Sequence, residues 1–139
     1  MGEIYDVVII GSGPAGLAAA IYAERAELNA IVIEKNVVSG GQVLTTYEVD
    51  NYPGVQGIGG FDLGMKFREH ADGLGATFVE DEVVKIETDE KIKKVICAGG
   101  TYEARTYYLF YLLISLNLYY FVLHKCSSQP VCIFSEFHS

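Results

Sequence analysis

Three glycines and one carboxylate stand at the spacing that a bound dinucleotide requires. Gly11, Gly13 and Gly16 form a Gly-x-Gly-x-x-Gly motif, and Glu34 follows further along the chain. In such a motif the first glycine permits a tight turn, the second admits a pyrophosphate to the backbone, and the third lets a helix pack on a strand. A carboxylate about 20 residues on accepts hydrogen bonds from an adenosine ribose. These residues predict an adenine dinucleotide site.

The elements that would position these residues flank the motif directly. The apolar run YDVVII before Gly11 predicts a strand that is buried on both faces, as in a parallel sheet. A helix is predicted from Pro14 to Leu28, since proline is tolerated in the first helical turn. The run NAIVIEK predicts a second strand that ends at Glu34. This order of elements favours a ligand site over the alternative, a glycine-rich turn that binds nothing.

The residues restrict the chemistry of the ligand. Glu34 would repel a 2′-phosphate, so an NADP-type ligand is disfavoured, whereas the residues alone do not separate NAD from FAD. We expect the amides at the start of the Pro14 helix to be free of side-chain caps, because they would face the phosphates. We also expect Glu34 to face a cleft.

The composition excludes several other functions. The net charge of −8 argues against binding to nucleic acid or to an anionic membrane surface. Cys97, Cys126 and Cys132 form no Cys-x-x-Cys pair, which argues against a disulfide framework, a metal site and a dithiol redox centre. Cys97 is predicted to be a small buried hydrophobe rather than a reactive thiol. No basic and apolar leader with a cleavage site is visible, so the expected compartment is cytoplasmic.

Beyond Glu34 the sequence predicts a loop, a helix and a set of strands. Two glycine clusters and a Pro-Gly pair between positions 36 and 60 predict a long ordered loop, which in a compact domain is usually functional. The run FDLGMKFREHADGLG predicts an amphipathic helix, with His70 packed or at the solvent edge rather than catalytic. Strands follow, with turns predicted at Gly99–Gly100 and, more weakly, at Asp89–Glu90.

Three ordered motifs give the sequence a family resemblance. The runs VVIIGSGPAGLAAAIYAERAEL, SGGQ and EVDNYPG resemble the opening of bacterial, low-molecular-weight thioredoxin reductases, which are FAD-dependent pyridine nucleotide-disulfide oxidoreductases. The resemblance covers roughly residues 4–106 and implies that the nucleotide is FAD. It also implies that residues 77–106 form the small β-meander of that family.

The resemblance implies a role for each matching position. The pyrophosphate would be held by the first glycine turn, which comprises Gly11, Ser12, Gly13, Pro14 and Ala15. Glu34 would bind the adenosine ribose, and the backbone of Val84 would meet the adenine. The flavin side would be lined by Gly40, Gly41 and Gln42, and the flavin ring or its ribityl chain would contact Thr46 and Asn51.

The same resemblance implies an activity that needs more than this sequence contains. The family passes electrons from NADPH to FAD and then to the disulfide of a thioredoxin-like protein. A second glycine motif for NADPH, a redox-active Cys-x-x-Cys pair and the late Gly-Asp pair of the family are not found here. We therefore expect no catalytic residue in this chain and no disulfide reduction by it alone. The alternatives are a stand-alone, non-catalytic FAD- or dinucleotide-binding module and a membrane-anchored variant, and a homodimer is left open.

The composition changes at about residue 106. All fifteen glycines lie at or before Gly100, and only two charged residues follow Thr106. The aromatic segment that follows fits a transmembrane helix poorly, because it is short and carries scattered tyrosines, but it could serve as a core strand. The favoured hypothesis is that the segment arose from a frameshift, a misjoined gene or a truncated reading frame.

The predicted fold class is therefore α/β: a Rossmann-like, three-layer FAD/NAD(P)-binding domain with a small β-meander, incomplete at its last parallel strand. Residues 1–106 would form a partial FAD-binding domain, and residues 107–139 an apolar aromatic tail unlike the family. The aromatic run is expected to take over the last strand position imperfectly.

Overall fold

A computed structural model describes residues 3–88 and 91–109 of the chain. Six strands form a single sheet in the order β3-β2-β1-β6-β5-β4. The elements, in chain order, are β1 (Ile4–Ile10), α1 (Pro14–Arg25), β2 (Ala30–Glu34), a 3₁₀ helix (Gly41–Thr45), α2 (Gly60–Gly73), β3 (Thr77–Glu80), β4 (Val83–Glu87), β5 (Lys93–Cys97) and β6 (Thr101–Leu109).

The sheet has a parallel half and an antiparallel half. Strand β1 pairs in parallel with β2 on one side and with β6 on the other, and β2 pairs in parallel with β3. Strands β4, β5 and β6 pair antiparallel and form a meander. The predicted start of the meander at residue 77 is wrong, because β3 pairs in parallel with β2 and belongs to the parallel half. The strand–helix–strand unit around the first glycine turn matches the sequence prediction, since β1, α1 and β2 follow one another with β1 and β2 parallel.

Strands β1 and β2 are buried on both faces, as their continuous apolar runs predict. One cluster joins residues of β1 and β2 to the buried face of α1; its buried members are Val7, Ile9, Ala20, Ala23, Ala30 and Val32. On the other face, β1 and β2 pack against the meander, through Val8, Ile10, Ile31, Ile33, Val95, Cys97 and Ala104. The antiparallel half of the sheet thus packs on the parallel half. Helix, parallel strands and meander form three layers, which confirms the predicted three-layer, Rossmann-like fold class.

Strand β6 carries the chain across position 106 without a break. Tyr107, Tyr108 and Leu109 pair with Val8, Ile9 and Ile10, so β6 runs beside β1 to the last residue of β1. The aromatic run therefore occupies the last parallel strand position as far as the structure describes it. The predictions for the rest of the tail fall on residues 110–139, which lie outside the described residues, and the division of the chain at 106 stays a prediction.

No helix among the described residues has the length and apolar character needed to span a bilayer.

Helix α1 ends at Arg25, three residues earlier than predicted. Glu27 adopts a left-handed conformation with φ 55°, and its N–H donates to the carbonyl oxygen of Glu24 at 3.0 Å. The N–H of Leu28 reaches back to the carbonyl oxygen of Ala23 at 3.1 Å. These two bonds are those of a Schellman motif, which ends a helix by satisfying its last carbonyl groups. The motif was not predicted because glycine usually occupies the position of Glu27.

The loop predicted between positions 36 and 60 contains local structure. It includes the 3₁₀ helix and an isolated antiparallel bridge between Val49 and Ile58, whose N–H···O bond measures 2.8 Å. The hairpin predicted at Gly99–Gly100 is present between β5 and β6, with Ala98 as a third connecting residue. The turn predicted at residues 89–90 lies outside the described residues.

Close packing of α1 on the first glycine turn predicts the effect of adding one methyl group. A Cβ atom at Gly16 would lie 1.9 Å from the carbonyl oxygen of Gly11, so the helix or the turn must move. We expect Gly16→Ala to lower the free energy of unfolding, measured by urea denaturation, by about 1–3 kcal/mol. Gly73→Ala is the matched control, because a Cβ there meets nothing within 4 Å and alanine favours helix. Equal stability of Gly16→Ala and the wild type would contradict the packing described.

Candidate dinucleotide site

Two glycine turns meet beyond the carboxyl ends of β1 and β2. The first begins at Gly11, whose φ of 97° is left-handed and whose N–H donates to the carbonyl oxygen of Ile33 at 2.8 Å. The second contains Gly40 and Gly41, with φ of 128° and 60°. The N–H of Gly40 donates to the carbonyl oxygen of Ser12 at 2.8 Å, so a backbone hydrogen bond joins the two turns. The predicted pyrophosphate and flavin-side glycines therefore lie together.

The backbone at Gly13 is open in a way that the backbone at Gly16 is not. Gly13 has an ordinary extended conformation, and a Cβ there would meet no atom closer than 4.0 Å. The fold itself therefore leaves room for a side chain at Gly13, and glycine keeps that room empty. Among the described residues, no side chain caps the N-terminus of α1, so the unpaired amides of its first turn remain available. Such a concavity at a helix start suits an anion.

The carboxylate of Glu34 ties the first glycine turn to the end of β2. Its Oε2 accepts hydrogen bonds from the Ser12 N–H at 2.8 Å and the Ser12 hydroxyl at 2.9 Å. Its Oε1 accepts from the N–H and the side-chain amide of Asn36, both at 2.9 Å. Burial alone would raise the pKa of Glu34, but these four hydrogen bonds outweigh it and lower the pKa below the ordinary value. Glu34 is therefore ionised at neutral pH. It occupies the amide of Ser12, which precedes α1 in the first glycine turn, and leaves the amides at the start of α1 uncapped.

Glu34 borders a cavity of about 170 Å³ that opens between β2, β3 and α2. The cavity contains two carboxylates and one guanidinium, and its lining consists of Glu34, Asn36, Val37, Ser39, Arg68, Phe78, Val79 and Glu80. Glu34 thus faces a cleft, as expected. Ser39, Arg68 and Phe78 were not predicted from the sequence. The spacing of Arg68 and Asp72 indicates an ion pair on α2, but no sequence signal places this pair beside Glu34.

The remaining predicted site residues lie at the surface. Gln42 and Thr46 are exposed at the two ends of the 3₁₀ helix, and Asn51 is exposed in the following loop. The N–H of Asp81 donates to the backbone oxygen of Glu34 at 3.0 Å, which places the connection between β3 and β4 beside Glu34. Val84, 69% exposed, follows on β4. The roles of these residues stay predictions.

Cys97 has the structural role that the sequence predicts. It is buried in the cluster between the parallel strands and the meander. Burial, aided by the charge of Asp81, raises the pKa of the Cys97 thiol to about 11. The thiol is therefore protonated at neutral pH and is a poor nucleophile.

The fold and the paired glycine turns agree with a comparison with known protein families. The family model described as pyridine nucleotide-disulphide oxidoreductase matches residues 5–114. The match covers most of the chain, and the chain belongs to this family.

Within that family the chain is similar to thioredoxin reductases, as the sequence motifs predict. It is 43% identical over 103 residues to the thioredoxin reductase of Listeria monocytogenes, covering 74% of this chain and 32% of that protein. The crystal structure of Lactococcus lactis thioredoxin reductase matches with a TM-score of 0.73 and 41% identity, covering 76% of this chain and 34% of that one. A ferredoxin-flavin thioredoxin reductase from Clostridium acetobutylicum matches with a TM-score of 0.69 and 32% identity, covering 76% and 36%. The chain thus spans about a third of the length of these relatives.

The hydrogen bonds of Glu34 predict a pH-dependent contribution to stability. Because its pKa is lowered in the folded state, the ionised carboxylate stabilises the fold above its unfolded-state value of 4.5, and this stabilisation is lost as pH falls through the folded pKa. We expect Glu34→Gln to cost about 1–3 kcal/mol near neutral pH, since a glutamine amide leaves donors unpaired. The difference from the wild type, measured by urea denaturation, should shrink as the pH is lowered below 4.5.

Ser12→Ala provides the comparison for this measurement. It removes one of the four donors to Glu34 and retains the backbone amide of residue 12. The free energy of unfolding that Ser12→Ala loses at neutral pH, relative to acid pH, should therefore be smaller than the loss in Glu34→Gln. A stability difference between Glu34→Gln and the wild type that is the same at acid and neutral pH would contradict the hydrogen bonding described.

Proposed function

We propose that this chain binds FAD as the flavin-binding region of a thioredoxin-reductase-like flavoprotein. The observation that carries the proposal is the open backbone at Gly13, which lies between an uncapped helix start and the Gly40–Gly41 turn. A Cβ atom there would fill space that no protein atom uses, so the residues present fit a dinucleotide. The similarity to flavin-containing relatives supports FAD as the dinucleotide.

The first glycine turn would hold the pyrophosphate. The amides of Ala15 and Gly16 lie in the first turn of α1, where the helix dipole adds partial positive charge. The Gly40–Gly41 turn closes the opposite side, because its backbone is held against Ser12. The arrangement binds two phosphates by backbone groups, as the N-termini of helices in dinucleotide-binding folds do.

Glu34 would accept hydrogen bonds from the adenosine ribose. A carboxylate offers about four acceptor positions, and Ser12 and Asn36 already supply four donors. A ribose hydroxyl must therefore displace a donor, and the exposed side chain of Asn36 can rotate away while the backbone amides stay in place. Because Glu34 is ionised, it would repel a ribose 2′-phosphate and favour FAD over NADP.

The other matching positions complete the proposed site. The Val84 backbone would contact the adenine, and Gln42, Thr46 and Asn51 would contact the flavin end, as the family motifs imply. When bound, FAD supplies electron transfer between a nicotinamide and a disulfide, and the protein supplies placement. In the full-length relatives we infer a path from NADPH to FAD to a thioredoxin-like disulfide protein.

We further propose that this chain alone binds flavin without reducing a disulfide. It spans about a third of its relatives and contains no Cys-x-x-Cys pair. The proposed flavin-binding unit comprises residues 1–106, continued by the paired part of β6. NADPH-dependent reduction of a dithiol acceptor by the purified chain would contradict this part of the proposal.

The proposal predicts a separation of binding from stability at Gly13. The purified 139-residue chain should take up FAD and release it on denaturation, as measured by flavin absorption and fluorescence. Gly13→Ala should weaken FAD binding by about tenfold or more, equal to ~1.4 kcal/mol. Its free energy of unfolding without FAD should fall by no more than about 1 kcal/mol, because a Cβ there would meet no protein atom closer than 4.0 Å. A chain that takes up no FAD, or a Gly13→Ala variant with unchanged affinity, would refute it.

A further inference from the structure

The side chain of Arg68 connects α2 to the segment that carries the second glycine turn. Its Nη1 donates to the hydroxyl oxygen of Ser39 at 2.8 Å, and its Nε donates to Oδ1 of Asp72 at 2.8 Å. Its guanidinium carbon lies 3.6 Å from the centroid of the Phe78 ring. Two directed hydrogen bonds and a stacking contact fix a planar guanidinium in one geometry, which a lysine cannot reproduce.

The partner of Arg68 is placed where it controls the second turn. Ser39 is only 3% exposed and immediately precedes Gly40. The segment between β2 and the 3₁₀ helix contains no helix or strand, so no ladder of backbone hydrogen bonds holds it. The hydrogen bond of Ser39 with Arg68 adds to the backbone hydrogen bond from Gly40 to Ser12. The partly buried side chain of Arg68 therefore anchors a buried hydroxyl one residue before the turn.

Helix α2 also contacts this turn directly. A Cβ atom at Gly64 would lie 3.2 Å from the Cα of Gly40, so α2 and the turn are already in close contact one helical turn before Arg68. The N–H of Gly40 bonds the carbonyl oxygen of Ser12 at 2.8 Å. A continuous set of contacts thus runs from Phe78 and Asp72 through Arg68, Ser39 and Gly40 to the first glycine turn.

We propose that Arg68 is a positioning residue for the dinucleotide site. By holding Ser39, it keeps the Gly40–Gly41 turn against the Gly11–Gly13 turn at the separation that a pyrophosphate needs. Arg68 acts through Ser39 rather than on the phosphates. The inference rests on the proposed function, and it gives α2 a part in nucleotide binding that the glycine motifs do not show. A small displacement of a binding group is enough to lose much of its effect.

The test uses the full 139-residue chain and four single variants. Arg68→Met keeps an apolar stem on Phe78 and removes the donors, whereas Ser39→Ala removes only the acceptor. Asp72→Asn is the matched control, because asparagine keeps the Oδ1 acceptor for the Nε hydrogen bond of Arg68 and removes only the charge of a half-exposed partner. Arg68→Lys keeps a charged donor and serves as the conservative replacement.

The first measurement is FAD affinity, beside the free energy of unfolding without FAD. Arg68→Met and Ser39→Ala should each weaken FAD binding by about 5–20-fold. A double variant that combines Arg68→Met with Ser39→Ala should bind FAD no more weakly than Arg68→Met, because both substitutions remove the same hydrogen bond. The FAD affinity of Asp72→Asn should stay within about twofold of that of the wild type. Arg68→Lys should bind FAD more tightly than Arg68→Met. Wild-type affinity in Ser39→Ala, or additive losses in the double variant, would overturn the proposal.

The second measurement needs no ligand. Hydrogen exchange of the Gly40 amide, which donates to Ser12, should be faster in Arg68→Met and Ser39→Ala than in the wild type and Asp72→Asn. Unchanged exchange at the Gly40 amide would overturn the positioning role, whatever FAD does. Absence of FAD binding by the wild type would instead refute the proposed function, and the two failures are thereby distinguished.

Discussion

The hydrogen bonding of the Glu34 carboxylate is the interaction on which the site depends. Glu34 ends β2, yet its side chain binds the backbone and the hydroxyl of Ser12, which follows β1. It therefore fixes the relation between two neighbouring parallel strands at the edge where a ligand would bind. The same bonds lower its pKa against the effect of burial and keep it charged. One side chain thus determines both the shape of the first glycine turn and the sign of the charge beside it.

Close backbone contacts also position the two helices against the turns that precede them. Glycine at position 16 lets α1 begin against Gly11, and glycine at position 60 lets α2 begin against the carbonyl oxygen of Val43, which a Cβ would approach to 1.9 Å. A residue with a side chain cannot replace glycine at either position without moving the backbone, because its Cβ would collide with a backbone carbonyl oxygen. The glycines of the two turns also have other roles, since Gly11, Gly40 and Gly41 provide left-handed backbone and Gly13 leaves open space.

Much of the fold could be predicted from the sequence, because strands buried on both faces leave continuous apolar runs. That principle located β1, β2 and the position of Glu34 at a strand end. The predicted end of α1 was wrong, because Glu27 adopts a left-handed conformation that glycine usually occupies. Arg68 was missed for a different reason. The helical spacing of Arg68 and Asp72 indicates that the two side chains pair. Ser39 and Phe78 come from distant segments of the sequence, and only the fold brings these two residues into contact with Arg68.

Strand β6 has a further consequence, for the order in which the chain assembles. Its first half closes the meander, and it also supplies the parallel neighbour of β1, pairing Ile4 with Glu103. Contacts between residues so far apart in sequence form slowly, since the intervening chain must first be brought together. During synthesis, the edge of β1 that pairs with β6 would stay unpaired until residues 103–109 had been made. An unpaired strand edge of this kind favours aggregation in that interval.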